Sequence, residues 1–328
     1  MTNDTRSQLV GKAAGLAGVA ALVALARQAV RHRRVLRGVG DEVVHTCASG
    51  NRLSYRLSEP QAARTGRPVV VFETALLSTS QHWGWLRQEL VDDFPVLSYD
   101  RAGYGRSEYR QADAYSLGSS IADCLDLLQV TVPGRQLILV GHSQGGYLAL
   151  RTAAELGPTV VGLVLIDPTH PAQLQRSQLQ RQGAAEADQS LQLMPATLRL
   201  GGGGLLTAPN WVRDLPEQDQ PLARAQYADW KLWAAGSREW RAVYAHLLDP
   251  PQILPPIAAP IRIVAAARTC DNDPKQQGLF QEIVDASPNG DLAVIKGFSH
   301  EELVFHRTPA SVIAELIRTF NTSQVPTE

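Results

Sequence analysis

Cysteine is scarce in this 328-residue chain. Cys47, Cys124 and Cys270 are odd in number and far apart, so they suggest neither a disulfide framework nor a thiolate metal site. No C-x-x-C, H-E-x-x-H or P-loop pattern occurs, so neither metal nor cofactor is called for. Charge of one sign is also missing. Lys plus Arg number 31 against 32 Asp plus Glu, a net charge of −1, which gives no argument for nucleic acid as a partner. What remains is 44% hydrophobic residues in a chain long enough for a sizeable core. That suits one large α/β domain with an insertion, or two modest domains.

Residues 1–38 differ in composition from the rest. The run AAGLAGVAALVALA at 13–26 carries no charge, Lys12 and Arg27 bracket it, and RQAVRHRRVLR follows. Extended to Leu9 and Val30, it is about long enough to cross a bilayer if Lys12 and Arg27 snorkel. Three readings compete. The first is a membrane anchor, with Arg27, Arg31, Arg33 and Arg34 holding the following chain in the cytoplasm. The second is a signal peptide ending near Ala24-Leu25-Ala26, against which the basic cluster argues. The third is a small-residue helix packed on the domain or lying on a membrane surface. Membrane association through residues 9–37 and a cytoplasmic or cytoplasmic-face location are expected, with residues 1–38 dispensable for catalysis. Val35–Asp41, with two glycines, reads as a linker.

From residue 42 strand and helix alternate. Glu42–Cys47 and Arg52–Leu57 predict a hairpin. Pro68–Phe72, Phe94–Tyr99, Gln136–Val140, Val160–Ile166, Pro260–Ala266 and Leu292–Ile295 predict strands. Gln81–Leu90, Ser116–Val130, Lys275–Ala286 and Ala310–Phe320 predict helices. Repeated β-α-β units imply an α/β fold with a mostly parallel central sheet and helices on both faces. Residues 168–255 break the rhythm. They are rich in Gln, Arg and Pro, hold four of the six tryptophans, include Gly201–Gly204 and lack a convincing strand. They predict a helical cap inserted between core segments 42–167 and 256–322. Trp230, Trp233 and Trp240 fall at helical spacing, a pattern that more often serves packing than ligand contact.

The stretch LILVGHSQGGYLAL at 137–150 ends a buried strand on a glycine-flanked serine and then resumes helical spacing. Gly141-His142-Ser143-Gln144-Gly145 fits the G-x-S-x-G nucleophile elbow. There a serine is displayed on a strained turn, with a helix N-terminus behind it to favour a developing anion. Serine needs a base and an acid that orients the base, in the chain order Ser, acid, His. His300, in IKGFSHEE after the last strand, is the expected base; His170 and His246 fall in the cap, and His306 on a later helix. Asp271, just beyond the strand IRIVAAA, is the expected acid. Asp273 is the alternative, and Asp167, ending VVGLVLID, is a third candidate.

GHSQGG, YDRAGYGRS at 99–107 and the C-terminal GFSH together resemble the α/β-hydrolase superfamily over roughly residues 42–320. The resemblance implies triad chemistry and an oxyanion hole of backbone N–H groups, here Gln144 and Ala75. Where family members commonly carry His-Gly after the third strand, this chain has Glu73-Thr74-Ala75-Leu76. A carboxylate there would oppose an oxyanion unless neutralised, and Arg101 is the expected partner. Ser143 argues against epoxide hydrolases and dehalogenases, whose nucleophile is an aspartate. The expected activity is cleavage of a small-molecule carboxylic ester with an apolar portion. An aminopeptidase-type peptidase and a non-catalytic ligand-binding protein on the same fold are the alternatives.

Overall fold

The computed structural model describes residues 3–60, 66–250 and 253–320. Residues 1, 2, 321 and 322, at the ends of the expected segments, lie outside the described residues. Helix α1 (Asn3–Arg37) precedes the hairpin β1 (Val43–Thr46) and β2 (Arg52–Ser58). Then come β3 (Val69–Glu73), α2 (Gly84–Leu90), β4 (Val96–Asp100), α3 (Leu117–Thr131), β5 (Leu137–His142), α4 (Gln144–Leu156) and β6 (Val160–Ile166). Five helices follow without a strand: α5 (Gln173–Arg176), α6 (Gln178–Arg199), α7 (Trp211–Asp214), α8 (Gln220–Tyr227) and α9 (Trp230–Leu248). The chain returns with β7 (Ile261–Ala266), α10 (Ala267–Asn272), α11 (Lys275–Val284), β8 (Gly290–Ile295), α12 (Glu302–Phe305) and α13 (Arg307–Thr319).

The eight strands form one sheet in the order β1-β2-β4-β3-β5-β6-β7-β8. Strand β2 runs antiparallel to β1 and β4, and the other pairs are parallel. The apolar runs of β3 and β5 are buried along their whole length because both sheet faces are covered. Their residues divide between two cores with the strand period of two. Val69, Val71, Leu137 and Leu139 pack on one face with α3 and α4. Val70, Phe72, Ile138 and Val140 pack on the other with α2 and α13.

Helices α5, α6 and α9 pack on the first of these cores, Trp211 of α7 and Ala223 of α8 on the second, and α9 is bolted to the loop after β4. The Lys231 ammonium donates to the carbonyls of Gly103 at 2.9 Å, Gly105 at 2.7 Å and Ser107 at 2.5 Å. Gly103 and Gly105 have φ of 94° and 45°, which curls the loop so that these oxygens converge. A Cβ at Gly105 would meet the Asp100 carboxylate, so the glycines of GYGRS serve this packing.

Two expectations about the N-terminus are corrected. The stretch from Val35 is helix as far as Arg37, not linker, and Val35 is buried. The second half of α1 docks on the inserted helices. Asp229, which caps α9 by accepting from Lys231 N at 2.9 Å, also accepts from Gln28 Nε2 at 2.8 Å and contacts His32 Nδ1 at 3.1 Å. His32 stacks on Trp230 at 5.0 Å between ring centroids. The spanning-anchor reading finds no support: among the described residues no helix is long and apolar enough to cross a membrane.

Asp229→Ala removes a cap worth about 1 kcal/mol and strands the buried Gln28 amide, a further ~1–2 kcal/mol. Urea denaturation is expected to show a total loss of about 2–3 kcal/mol. A loss under about 0.5 kcal/mol would mean that α1 contributes nothing through this contact.

Candidate active site

Strand β5 ends at His142, and Ser143 has φ 55° and ψ −123°. A serine in this left-handed region stores about 1–3 kcal/mol of strain, held in place by the surrounding packing. The turn closes because its neighbours lack side chains. A Cβ at Gly141 would sit 2.4 Å from Gly145 O, and one at Gly145 would sit 2.3 Å from the carbonyl oxygens of Glu73 and Thr74. The end of β3 therefore lies directly against the start of α4. Gln144, first residue of α4, carries one of the N–H groups that a helix leaves without an internal partner. Its N–H and that of Ala75 are the candidate oxyanion donors. Both residues are buried around the close approach, Gln144 on the α4 side and Ala75 just beyond the end of β3.

His300 lies between β8 and α12, and its Nδ1 is 3.0 Å from Asp167 Oδ2. The structure thus places Asp167, and not Asp271, against the base. The physical reason is register. His142 pairs with Ile166, so the next residues, Ser143 and Asp167, leave adjacent strands side by side. Asp167 is held by the Ala266 N–H on Oδ1 at 3.1 Å and the Thr269 hydroxyl on Oδ2 at 2.5 Å, and its side chain is fully buried. Strand β7, by contrast, passes directly into α10. Asp271 falls on the far turn of that helix, exposed, with no hydrogen bond to His300 among the described contacts. Asp273 is buried but occupied: it accepts from the Ser177 hydroxyl at 2.6 Å and Gln276 Nε2 at 3.2 Å, tying α6 to α11.

The His300 side chain is 35% exposed and lines the same cleft as Ser143. Burial works against a charged ring. The hydrogen bond and charge of Asp167, with Glu301 beyond them, outweigh it and hold the His300 pKa above the ordinary histidine value. His142 belongs to the site although its sequence position gave it no role beyond filling the elbow. Its ring lies 4.6 Å from that of His300, and its Nε2 donates to the His300 carbonyl at 3.1 Å. Burial, and then the neighbouring His300, drive its pKa well below the usual value, so a neutral ring supports the loop that carries the base.

The expected pairing of Arg101 with Glu73 is present at 2.7 Å. The guanidinium does more than neutralise. It also donates to Thr74 Oγ1 at 2.9 Å, the Thr74 carbonyl at 2.5 Å and the Ala75 carbonyl at 3.0 Å, fixing the segment that carries the Ala75 N–H. From α9, Glu239 grips the same guanidinium with both oxygens, at 2.7 and 2.9 Å, a contact that sequence spacing could not reveal. Tyr104 and Tyr115 donate to Glu239 at 2.7 and 3.1 Å. Burial pushes the Glu73 pKa up, against the opposing pull of Arg101 and Tyr99. Burial also opposes ionisation of Glu239, but Arg101 and the two tyrosines prevail and lower its pKa.

The cleft has two lobes that meet at Ser143. One, of about 300 Å³, holds Asp167 and His300 and is lined by polar Thr169, Gln173, Gln180, Asn272 and Gln276. The other, of about 200 Å³, holds Gln144, shares Thr169, Gln173 and Gln180 with the first, and adds Leu76, Ala184, Trp240, Val243 and Leu247. Trp240 therefore faces the cleft. Trp233 instead donates to the Tyr227 carbonyl at 2.7 Å, and Trp230 stacks under α1. Away from the cleft, His45, Cys47 and Asp126 bring donor atoms together beside the first hairpin. Burial, then Asp123 and Asp126, push the Cys47 thiol up to about 12.

Residues 70–316 match the family described as "Alpha/beta hydrolase family". Human monoglyceride lipase is 35% identical over 79 residues, 23% of this chain and 26% of the relative. An uncharacterised protein of Mycobacterium tuberculosis is 24% identical over 276 residues, 80% of this chain and 77% of the relative. The matched stretch thus spans about a quarter of the human relative's length and about three-quarters of the mycobacterial one. Among solved structures, a thermophilic esterase from Thermogutta terrifontis shares the fold, with a TM-score of 0.61 and 19% identity over 86% of this chain and 99% of that one. With the family match covering more than half of its length, the chain belongs to the alpha/beta hydrolase family.

Proposed function

We propose that the protein is a serine esterase that cleaves a carboxylic ester through an acyl-enzyme on Ser143. The observation that carries this reading is the Asp167–His300 pair lining one cleft with a serine in the left-handed turn. Asp167 fixes Nδ1 of His300 and leaves Nε2 for proton transfer. His300 takes the hydroxyl proton as Ser143 attacks the ester carbonyl. The oxyanion is received by the N–H groups of Gln144 and Ala75. His300 then protonates the leaving alcohol, and water activated by the same ring releases the acid. No cofactor enters these steps.

The two lobes divide the substrate. The leaving oxygen takes its proton from His300, so the alcohol occupies the polar lobe that contains this ring. The acyl chain occupies the apolar lobe against Leu76, Trp240, Val243 and Leu247. An ester of a short apolar acid with a polar alcohol fits both, and the activity in the name of the human relative agrees with that division. The free cysteines support a cytoplasmic location.

Ser143→Ala is expected to lower nitrophenyl-ester hydrolysis by roughly 10⁴-fold or more without changing the fold; activity near wild type would refute the reading. Asp167→Asn is expected to cost roughly 10⁴-fold in turnover, through the wrong histidine tautomer, while Asp271→Asn stays near wild type. The base must be neutral, so kcat/KM of the wild type should rise with pH through a midpoint above about 6.5. The rising limb of the residual activity of Asp167→Asn should lie at lower pH, since the largest influence that raises the His300 pKa, Asp167, is lost. Equal damage from both aspartate variants, or an unshifted limb, would remove Asp167 from the site. Glu239→Gln loosens the Arg101 clamp and is expected to lower kcat by up to about 10²-fold with little change in KM; an unchanged kcat would show that the clamp does not position the oxyanion hole.

A further inference from the structure

Between α1 and α8 lies another cavity, of about 530 Å³, which shares no lining residue with the Ser143 cleft. Arg27, Arg31 and Arg34 of α1 and Arg224 of α8 line it, and no carboxylate does. Arg31 is held in place by Gln28 Oε1 and the Ala228 carbonyl. The side chains of Arg27, Arg34 and Arg224 have no ion pair or hydrogen bond among the described contacts, and all three are exposed. In a protein of net charge −1, three uncompensated guanidinium groups around one cleft fit a phosphate-bearing ligand.

A second observation says what carries the phosphate. The side of α1 turned away from Gln28 and Val35 is open and carries exposed apolar side chains: Leu22 is 68% exposed and Val30 66%. Beside it, the glycine turn at 201–204 packs against α1 at Ala24, and its flanking Leu200 and Leu205 are 76% and 91% exposed. Apolar side chains of this size projecting next to a cationic cleft are disfavoured in water and match the headgroup–acyl boundary of a bilayer. We infer that α1 and the adjoining turn form a membrane-surface site, in which the arginine cleft takes the phosphate of an anionic phospholipid and the leucines enter the boundary region. The helix lies on the bilayer and does not cross it. This inference is independent of the esterase reading, because none of these residues lines the Ser143 cleft.

The test is co-sedimentation of the full chain with vesicles of phosphatidylcholine alone or mixed with phosphatidylglycerol. Nitrophenyl-ester turnover of each variant serves as the control for folding. Binding is expected only with phosphatidylglycerol. Each arginine contributes about a factor of five near such a surface, so the triple variant Arg27→Ala, Arg34→Ala, Arg224→Ala should bind about 100-fold more weakly at unchanged turnover. Leu200→Ser with Leu205→Ser should also weaken binding. No binding to either vesicle, equal binding to both, or undiminished binding by the triple variant overturns the proposal. Inorganic phosphate that stabilises the wild type but not the triple variant, without vesicle binding, would assign the cleft to a soluble anion instead. A concentration-dependent dimer lost in the leucine variant, without vesicle binding, would assign the apolar face to a second copy.

Discussion

The site depends on a backbone approach that only glycine permits. At Gly141 and Gly145 the chain passes so near to itself and to the end of β3 that any Cβ would lie within 2.4 Å of a carbonyl oxygen. That contact turns Ser143 out of the sheet and sets α4 beside the Glu73–Ala75 segment. The strain of about 1–3 kcal/mol is a substantial part of a typical net stability of about 5–15 kcal/mol. It is sustained because both faces of β3 and β5 are buried, so the strands cannot relax without opening two cores. Strand register then does the rest. With β5 and β6 paired up to His142 and Ile166, the serine and the aspartate emerge together, and β8 delivers His300 from beyond β7.

A second dependence runs from the inserted helices to the core. Helix α9 places Lys231 on the carbonyls of the 103–107 loop and Glu239 on Arg101, while Arg101 grips the carbonyls of Thr74 and Ala75. The segment expected to stabilise the oxyanion is therefore fixed by a residue more than 160 positions later in the chain. A buried guanidinium between two carboxylates is costly to desolvate, and replacing such groups by apolar ones is often neutral or stabilising. Its value here is geometric: it holds a backbone in one orientation.

Strands and elbow were legible because they are local. A five-residue apolar run, a glycine-flanked serine and a histidine after the last strand each announce themselves within a few residues. The acid was harder. Asp271, Asp273 and Asp167 all follow buried strands, and β7, which precedes the first two, is the neighbour of β8, so strand order alone favours the wrong acid. A helix starting at Ala267 carries Asp271 outward, and nothing in RTCDND announces that start. Glu239 was out of reach for the same reason, since helical spacing tells which side is buried but not against what. Of the N-terminal readings, the spanning anchor was misled by composition, since an uncharged alanine-rich run resembles a membrane span; the helix packed on the domain agrees with Gln28, His32 and Val35, which are spaced to meet a neighbour.

The account stands or falls on a covalent intermediate at Ser143. Rapid acid quenching of the enzyme during turnover of a nitrophenyl ester, followed by intact-mass and peptide mass spectrometry, measures it directly. The expected result is a mass increase equal to the acyl group, confined to the peptide that contains Ser143 and longer-lived in a His300→Ala variant acylated with an activated ester. An enzyme that turns over the ester with no acylated species, or with the acyl group on another residue, would contradict it.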